Sequence, residues 1–192
     1  NGSENSFQVD QVEISWLFNF DTVTAQIDLQ YEGDSLDGQF GRPSGADGEL
    51  VEQAFVNYAL GNGDVVTAGR YASMLGFEAF EPTGLYQYST AYNDSGLPGY
   101  AQGVKYTRES DTSFFGISIQ DEAFDNGANA LGGNNNDGSY AVELAYSQDL
   151  GNGIAVFLGG AYEDGDSLGD TYIINAYTTY ETGAWLFAAE VN

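Results

Sequence analysis

The chain has 192 residues, of which 29 are acidic and only 4 basic, giving a formal net charge of −25, and it contains no His and no Cys. That composition excludes zinc sites of the usual kind, thiol nucleophiles, Ser-His-Asp relays and disulfide frameworks. A polyanion of this strength is repelled by nucleic-acid phosphates, so no nucleic-acid partner is expected, and no apolar run approaches the roughly 18 residues of a transmembrane helix.

The first expected strand, 7–20, sets Val12, Ile14, Trp16, Phe18 and Phe20 against Gln11, Glu13, Ser15, Leu17 and Asn19. The second, 22–32, is cleaner. Val23, Ala25, Ile27, Leu29 and Tyr31 alternate with Thr22, Thr24, Gln26, Asp28, Gln30 and Glu32. Successive side chains on a strand point to opposite faces, so one face here is wholly apolar and the other wholly polar. Strands near 50–60, 65–72 and 100–108 follow. The next, 113–121, opposes Phe115, Ile117 and Ile119 to Gly116, Ser118 and Gln120. At 139–148, Tyr140, Val142, Leu144 and Tyr146 face away from Ala141, Glu143 and Ala145. A strand at 154–163 leads to 171–181, where Tyr172, Ile174 and Ala176 oppose Asn175 and Tyr177, and a last one is expected at 184–192. Ten residues at roughly 3.4 Å each, tilted near 45°, rise about 24 Å, which matches the apolar band of a transmembrane barrel.

The connections alternate in length. Tight turns fall at Asp21-Thr22, Asn62-Gly63, Ser110-Asp111, Asn152-Gly153 and Thr182-Gly183. Asn-Gly supplies the positive φ angles of a hairpin turn. Longer polar segments lie between them at 33–49, 73–99, 122–138 and 164–170. The pattern is that of an all-β, antiparallel up-and-down transmembrane β-barrel, with short turns at one end and long loops at the other. About ten strands are expected within one domain, 1–192, as a portion of a larger barrel of roughly 12–18 strands, because both ends read as internal.

A resemblance enters between Val51 and Asp121. The stretch Glu52-Gln53-Ala54-Phe55-Val56-Asn57-Tyr58-Ala59-Leu60, then Thr67-Ala68-Gly69-Arg70-Tyr71, Leu75-Gly76-Phe77-Glu78 and Glu81-Pro82-Thr83, resembles the OmpL-like β-barrel porins of Gram-negative outer membranes. Leu97-Pro98 and Gly103-Val104-Lys105-Tyr106 extend the match, and the family usually carries Lys or Arg where Arg70 stands. The resemblance implies passive diffusion of ions and small hydrophilic solutes across the outer membrane, without catalysis. It also brings contact with outer-membrane lipid and lipopolysaccharide, and leaves open whether the chain assembles as a homotrimer.

The candidate pore-lining residues are Arg70, Lys105, Glu78, Glu81, Asp28, Glu13 and Glu143. A Lys or Arg facing lipid near the midplane costs roughly 2–4 kcal/mol, so strand charges are expected to face the lumen. Arg70 and Lys105, on strands flanking segment 73–99, would then form a basic wall opposite Glu78 and Glu81 on an inward-folded loop, and the transverse field would sort solutes by charge. Arg108, at a strand end and in register with Val104 and Tyr106, is expected to snorkel to the interface. Asp28, Glu13 and Glu143, with Gln26, Gln30, Asn57, Gln120 and Asn175, complete a polar lining that favours cations. Only four basic residues are available to pair with so many carboxylates, which makes a hydrated lumen the easier solution. No cofactor is expected. Glu163-Asp164-Gly165-Asp166 with Asp170, and Asn134 to Gly138, lack the ligand spacing of a calcium loop and offer only weak surface binding of Ca²⁺ or Mg²⁺.

The competing reading is a secreted carbohydrate-binding sandwich, in which the apolar parity fills a dry core between two sheets. Periodicity alone leaves the two open.

Overall fold

The computed structural model describes residues 11–32, 51–78, 86, 96–124, 140–164 and 169–192. Among these residues there are ten strands: β1 (Gln11–Phe20), β2 (Val23–Glu32), β3 (Val51–Gly61), β4 (Asp64–Ala72), β5 (Tyr100–Glu109), β6 (Ser113–Gln120), β7 (Tyr140–Gly151), β8 (Ile154–Asp164), β9 (Thr171–Thr182) and β10 (Trp185–Val191). They form a single antiparallel sheet in strict sequence order, and each strand pairs only with its neighbours in the chain. Among the described residues no ladder joins β1 to β10, so the sheet is open at those two edges. Among the described residues there is no second sheet to make a sandwich.

The short turns behave as their residues require. Asn62 and Gly63 have φ of 55° and 82°, and Asn152 and Gly153 have 55° and 79°. Two successive positive φ angles make the hairpin turn whose twist matches the flanking strands. The tightness has a further cause: a Cβ on Gly63 would lie 1.9 Å from the Glu109 carbonyl oxygen, and one on Gly153 2.1 Å from that of Glu181.

The two faces are the reverse of those of a soluble sheet. The face that is covered carries Asp28, Thr67, Ser118, Gln120, Glu143, Glu163 and Asn175, all buried, together with small residues such as Ala141, Ala145 and Ala161. The opposite face leaves Ile14, Phe18, Val56, Val104, Ile119 and Leu158 exposed. We call these the inner and outer faces. Val23, Leu29 and Val142 are half-buried on the outer face, and Ile27 and Leu144 are exposed there, so no shared dry core gathers them.

The register adds something periodicity could not supply. One unbroken cross-strand row runs Phe20, Val23, Tyr58, Val66, Tyr106, Ile117, Leu144, Gly160, Ile174. Phe20 sits at a hairpin turn, whereas Ile174 lies eight residues before Thr182, the last residue of β9. The turn end therefore slips eight residues over eight strand-to-strand steps. An eight-stranded barrel with a shear of eight has strands tilted about 36°, the same slope.

The outer apolar belt follows that slope and cuts obliquely across the hydrogen-bonded rows. The row Trp16, Ile27, Ala54 turns polar at Arg70 and Gln102. The row beginning Asp64, Arg108 turns apolar at Phe115, Tyr146 and Leu158.

Candidate functional site

The inner face is not bare. After β4 the chain turns inward, and residues 73–78 lie across the inner wall of β6 to β9. The main-chain donors of Met74, Gly76 and Phe77 meet side chains that strand alternation has turned inward. The Ser73 hydroxyl donates to Glu143 Oε2 at 2.9 Å, and the Met74 N–H donates to Glu143 Oε1. The Leu75 N–H donates to Ser73 Oγ at 3.0 Å. The Gly76 N–H donates to Asn175 Oδ1 at 3.0 Å, and the Phe77 N–H to Glu190 Oε1 at 3.2 Å. Asn175 in turn donates to Glu190 Oε1 at 2.6 Å, which ties the β9 and β10 anchors together.

Side chains seat the same segment. Gly116 of β6 and Gly159 of β8 leave the room: a Cβ on the first would lie 2.3 Å from Met74 Sδ, and on the second 2.4 Å from Leu75 Cδ2. Leu75 is 2% exposed and packs with Ala141, Ala145, Phe157 and Ala161. Phe157 stacks on Tyr177 at 4.5 Å between centroids, and Phe77 meets Tyr177 at 5.5 Å. A second inward segment follows β6. There the N–H groups of Ala123 and Phe124 both donate to Glu163 Oε2, at 2.8 and 2.9 Å, and Ala123 joins the Leu75 cluster. Together the two segments cover the inner wall at the long-loop end of β6 to β9.

The expected lining residues fall as follows. Glu143 is 1% exposed and holds segment 73–78. Asp28 is buried on β2, where Gln26 and Gln53 both donate to its Oδ2, at 2.7 and 3.0 Å. Glu13 is exposed on the inner face of β1 and accepts from the Ser15 hydroxyl at 3.3 Å. Lys105 is on the inner face, opposite Thr67 on β4 and Ser118 on β6. Its ammonium sits 4.4 Å above the Tyr71 ring and donates to the Ala72 carbonyl at 3.4 Å. Glu78 is half-buried at the end of the inward segment. Glu81 lies outside the described residues.

Arg70 requires a correction. It shares the parity of Val66 and Ala68 and pairs with Gln102, so it belongs to the outer face, opposite in direction to Lys105. Its Nε donates to the Glu52 carbonyl at 2.9 Å, and its guanidinium lies 5.6 Å from the Tyr100 ring. The anticipated Arg70–Lys105 wall does not form. The physical reason is parity: Arg70 pairs with Gln102 and Lys105 with Thr67, so the two positions are offset by three residues across the β4–β5 ladder, and an odd offset inverts the face. Arg70 stands near the loop end of β4, beyond the apolar Val66 and Ala68 of the same face. Arg108 is on the outer face at the turn end, 3.7 Å from Asp64.

Sequence reading also missed Glu163, Asn175 and Glu190 as anchors. It placed Glu163 among possible cation ligands, whereas the structure turns it inward onto two main-chain donors.

A polar inner face, an apolar outer face and a loop drawn into the interior form the geometry with which other proteins can be compared. The family model described as "Putative beta-barrel porin-2, OmpL-like" matches residues 1–192. The chain belongs to this porin family. No curated protein and no solved structure matches this porin significantly.

Proposed function

We propose that this porin forms the wall of a water-filled outer-membrane channel that passes ions and small hydrophilic solutes down their gradients, with cations favoured. The observation that carries the reading is the oblique outer belt. A soluble sheet has no reason to let its apolar surface cross its hydrogen-bonded rows at the strand tilt. A barrel whose axis stands normal to a hydrocarbon slab must do so, because the slab is level while the rows climb. Ten-residue strands at this tilt rise about 27 Å, close to the height of an outer-membrane apolar band.

Cation preference follows from the inner face. Glu13, Asp28, Glu143, Glu163 and Glu190 all point there, and Lys105 is the basic residue among the described inner positions. The field they set up favours cations without a tight site, as a ring of acidic side chains does in a channel. Segment 73–78 narrows the lumen from the β6–β9 side, so solutes pass along the opposite wall.

Planar-bilayer recording under a KCl gradient tests the reading. A stepwise conductance with a reversal potential displaced toward that of a potassium-selective pore is expected. Protein that inserts without conducting would overturn the channel, and a reversal potential displaced toward chloride would overturn the selectivity.

A further inference from the structure

The inner face carries a run of aromatic rings that a bare channel wall does not require. Phe157 of β8 and Tyr177 of β9 are cross-strand partners, and their rings lie parallel within 4° at 4.5 Å between centroids. Phe77 tilts against Tyr177 at 5.5 Å, and Tyr86 stacks on Phe77 at 5.6 Å with 2° between the planes. Exposure rises along the series. Phe157 is 6% exposed, Tyr177 and Phe77 are half-buried, and Tyr86 is 71% exposed. The series thus leads from the packed wall toward the lumen and ends on a ring that solvent reaches.

The polar groups beside these rings are mostly acceptors. Glu190, exposed on β10, is the register partner of Tyr177 and accepts from the Phe77 N–H. Glu78 follows Phe77 directly. The nearby donors are already spent: the Gly76 N–H bonds to Asn175, and the Asn175 amide donates to Glu190 and Asn192. What the rings and their border offer a ligand is therefore π-faces and negative charge. A ring face attracts a cation held within about 6 Å of its centroid. The chain makes this pairing with its own cation on the same wall. The Lys105 ammonium sits 4.4 Å above the Tyr71 ring, with Glu143 two strands along the same row.

We propose that Tyr86, stacked on Phe77 and bordered by Glu78 and Glu190, is a lumenal binding site for organic cations of the quaternary-ammonium class. The inference rests on the channel reading, which admits solutes to this face, and it names the solute class. An alkylated ammonium is weakly hydrated, lays apolar surface on the ring and needs no hydrogen-bond donor. A sugar would also stack, but its hydroxyl oxygens would seek donors that are spent here.

NMR titration of choline against the folded chain in uncharged polyoxyethylene micelles tests the site without requiring conduction. Saturable binding is expected, weakened about tenfold by Tyr86→Leu and held within about twofold by Tyr86→Phe, which keeps the ring. Glu190→Gln keeps an acceptor for the Phe77 N–H and loses the charge, and should weaken binding about threefold. No saturable binding, equal binding by Tyr86→Leu, or equal binding of choline's uncharged carbon isostere would overturn the site. So would displacement of choline by glucose, which would assign the rings to sugars. Planar-bilayer recording separates the two readings. A chain that conducts but binds no choline loses only the site, whereas one that binds choline at Tyr86 and never conducts keeps the site and loses the channel.

Discussion

Two regions of the same inner wall solve the same problem differently. On β7, Ala141, Glu143 and Ala145 are buried under segment 73–78 and its partner at 121–124. On β1, Glu13, Ser15, Leu17 and Asn19, which hold the equivalent parity, are all exposed. Charge does not separate them, because each region presents a carboxylate. What differs is what stands in front of it. Glu143 meets a hydroxyl and a main-chain N–H, and Glu163 meets two main-chain N–H groups. Glu13 is exposed to solvent and accepts from the Ser15 hydroxyl of its own strand. A buried carboxylate must be compensated, and in a chain so poor in Lys and Arg the compensation comes from backbone donors of a loop folded inward. The lesson is that a lumen can be both acidic and partly filled.

The comparison concerns the inner face only, and the largest effects should show that. Ile117→Arg on β6 and Ile27→Arg on β2 both place a guanidinium on the outer belt. Each should destabilise the protein by about 2–4 kcal/mol in urea titrations from lipid vesicles, alike in the covered and bare regions. A clear difference between the two would mean that the belt is not level with a hydrocarbon slab.

Inner substitutions should separate the regions. Glu143→Ala removes the acceptor of two donors and should cost about 1.5–3 kcal/mol, whereas Glu13→Ala should stay within about 0.5 kcal/mol in the same titration. The first should also raise single-channel conductance, because segment 73–78 loses its grip on β7; the second should leave it unchanged.

Gly159→Val tests the seating of that segment without removing any hydrogen-bonding group. A Cβ at this position meets Leu75 Cδ2 at 2.4 Å and the Leu144 carbonyl oxygen at 2.9 Å, so Leu75 must move. The expected cost is about 1–3 kcal/mol, with higher conductance in planar bilayers. Unchanged conductance would place the narrowest point elsewhere.

The smallest effect is on selectivity. Lys105→Gln should shift the reversal potential further toward that of potassium, whereas Arg70→Gln, on the outer face, should leave it where it was. Equal shifts would contradict the opposite directions that the β4–β5 ladder assigns to the two residues.

Most of the architecture was legible in the residues. Alternation gives each strand its two faces, and expected bounds such as 22–32 or 113–121 stand within one residue of β2 and β6. Asn-Gly gives two of the turns. Placement on a face was harder where the pattern is short or interrupted. Arg70 sits between Gly69 and Tyr71, with no long apolar run to set its parity, and charge alone pointed the wrong way. Glu163, Asn175 and Glu190 carried no signal as anchors, because each partner lies 15 to 113 residues away in the chain.

Sequence by itself determined that this chain makes long antiparallel strands with one apolar and one polar side, since a period of two is a local property of the backbone. Which row of one strand stands beside which row of the next is not local. Only the tertiary structure decided the one-residue slip per strand, and with it the tilt, the oblique belt and the direction of Arg70. It alone also brought the Ser73–Phe77 main chain onto Glu143, Asn175 and Glu190, because register and loop docking are settled by contacts between segments far apart in the chain.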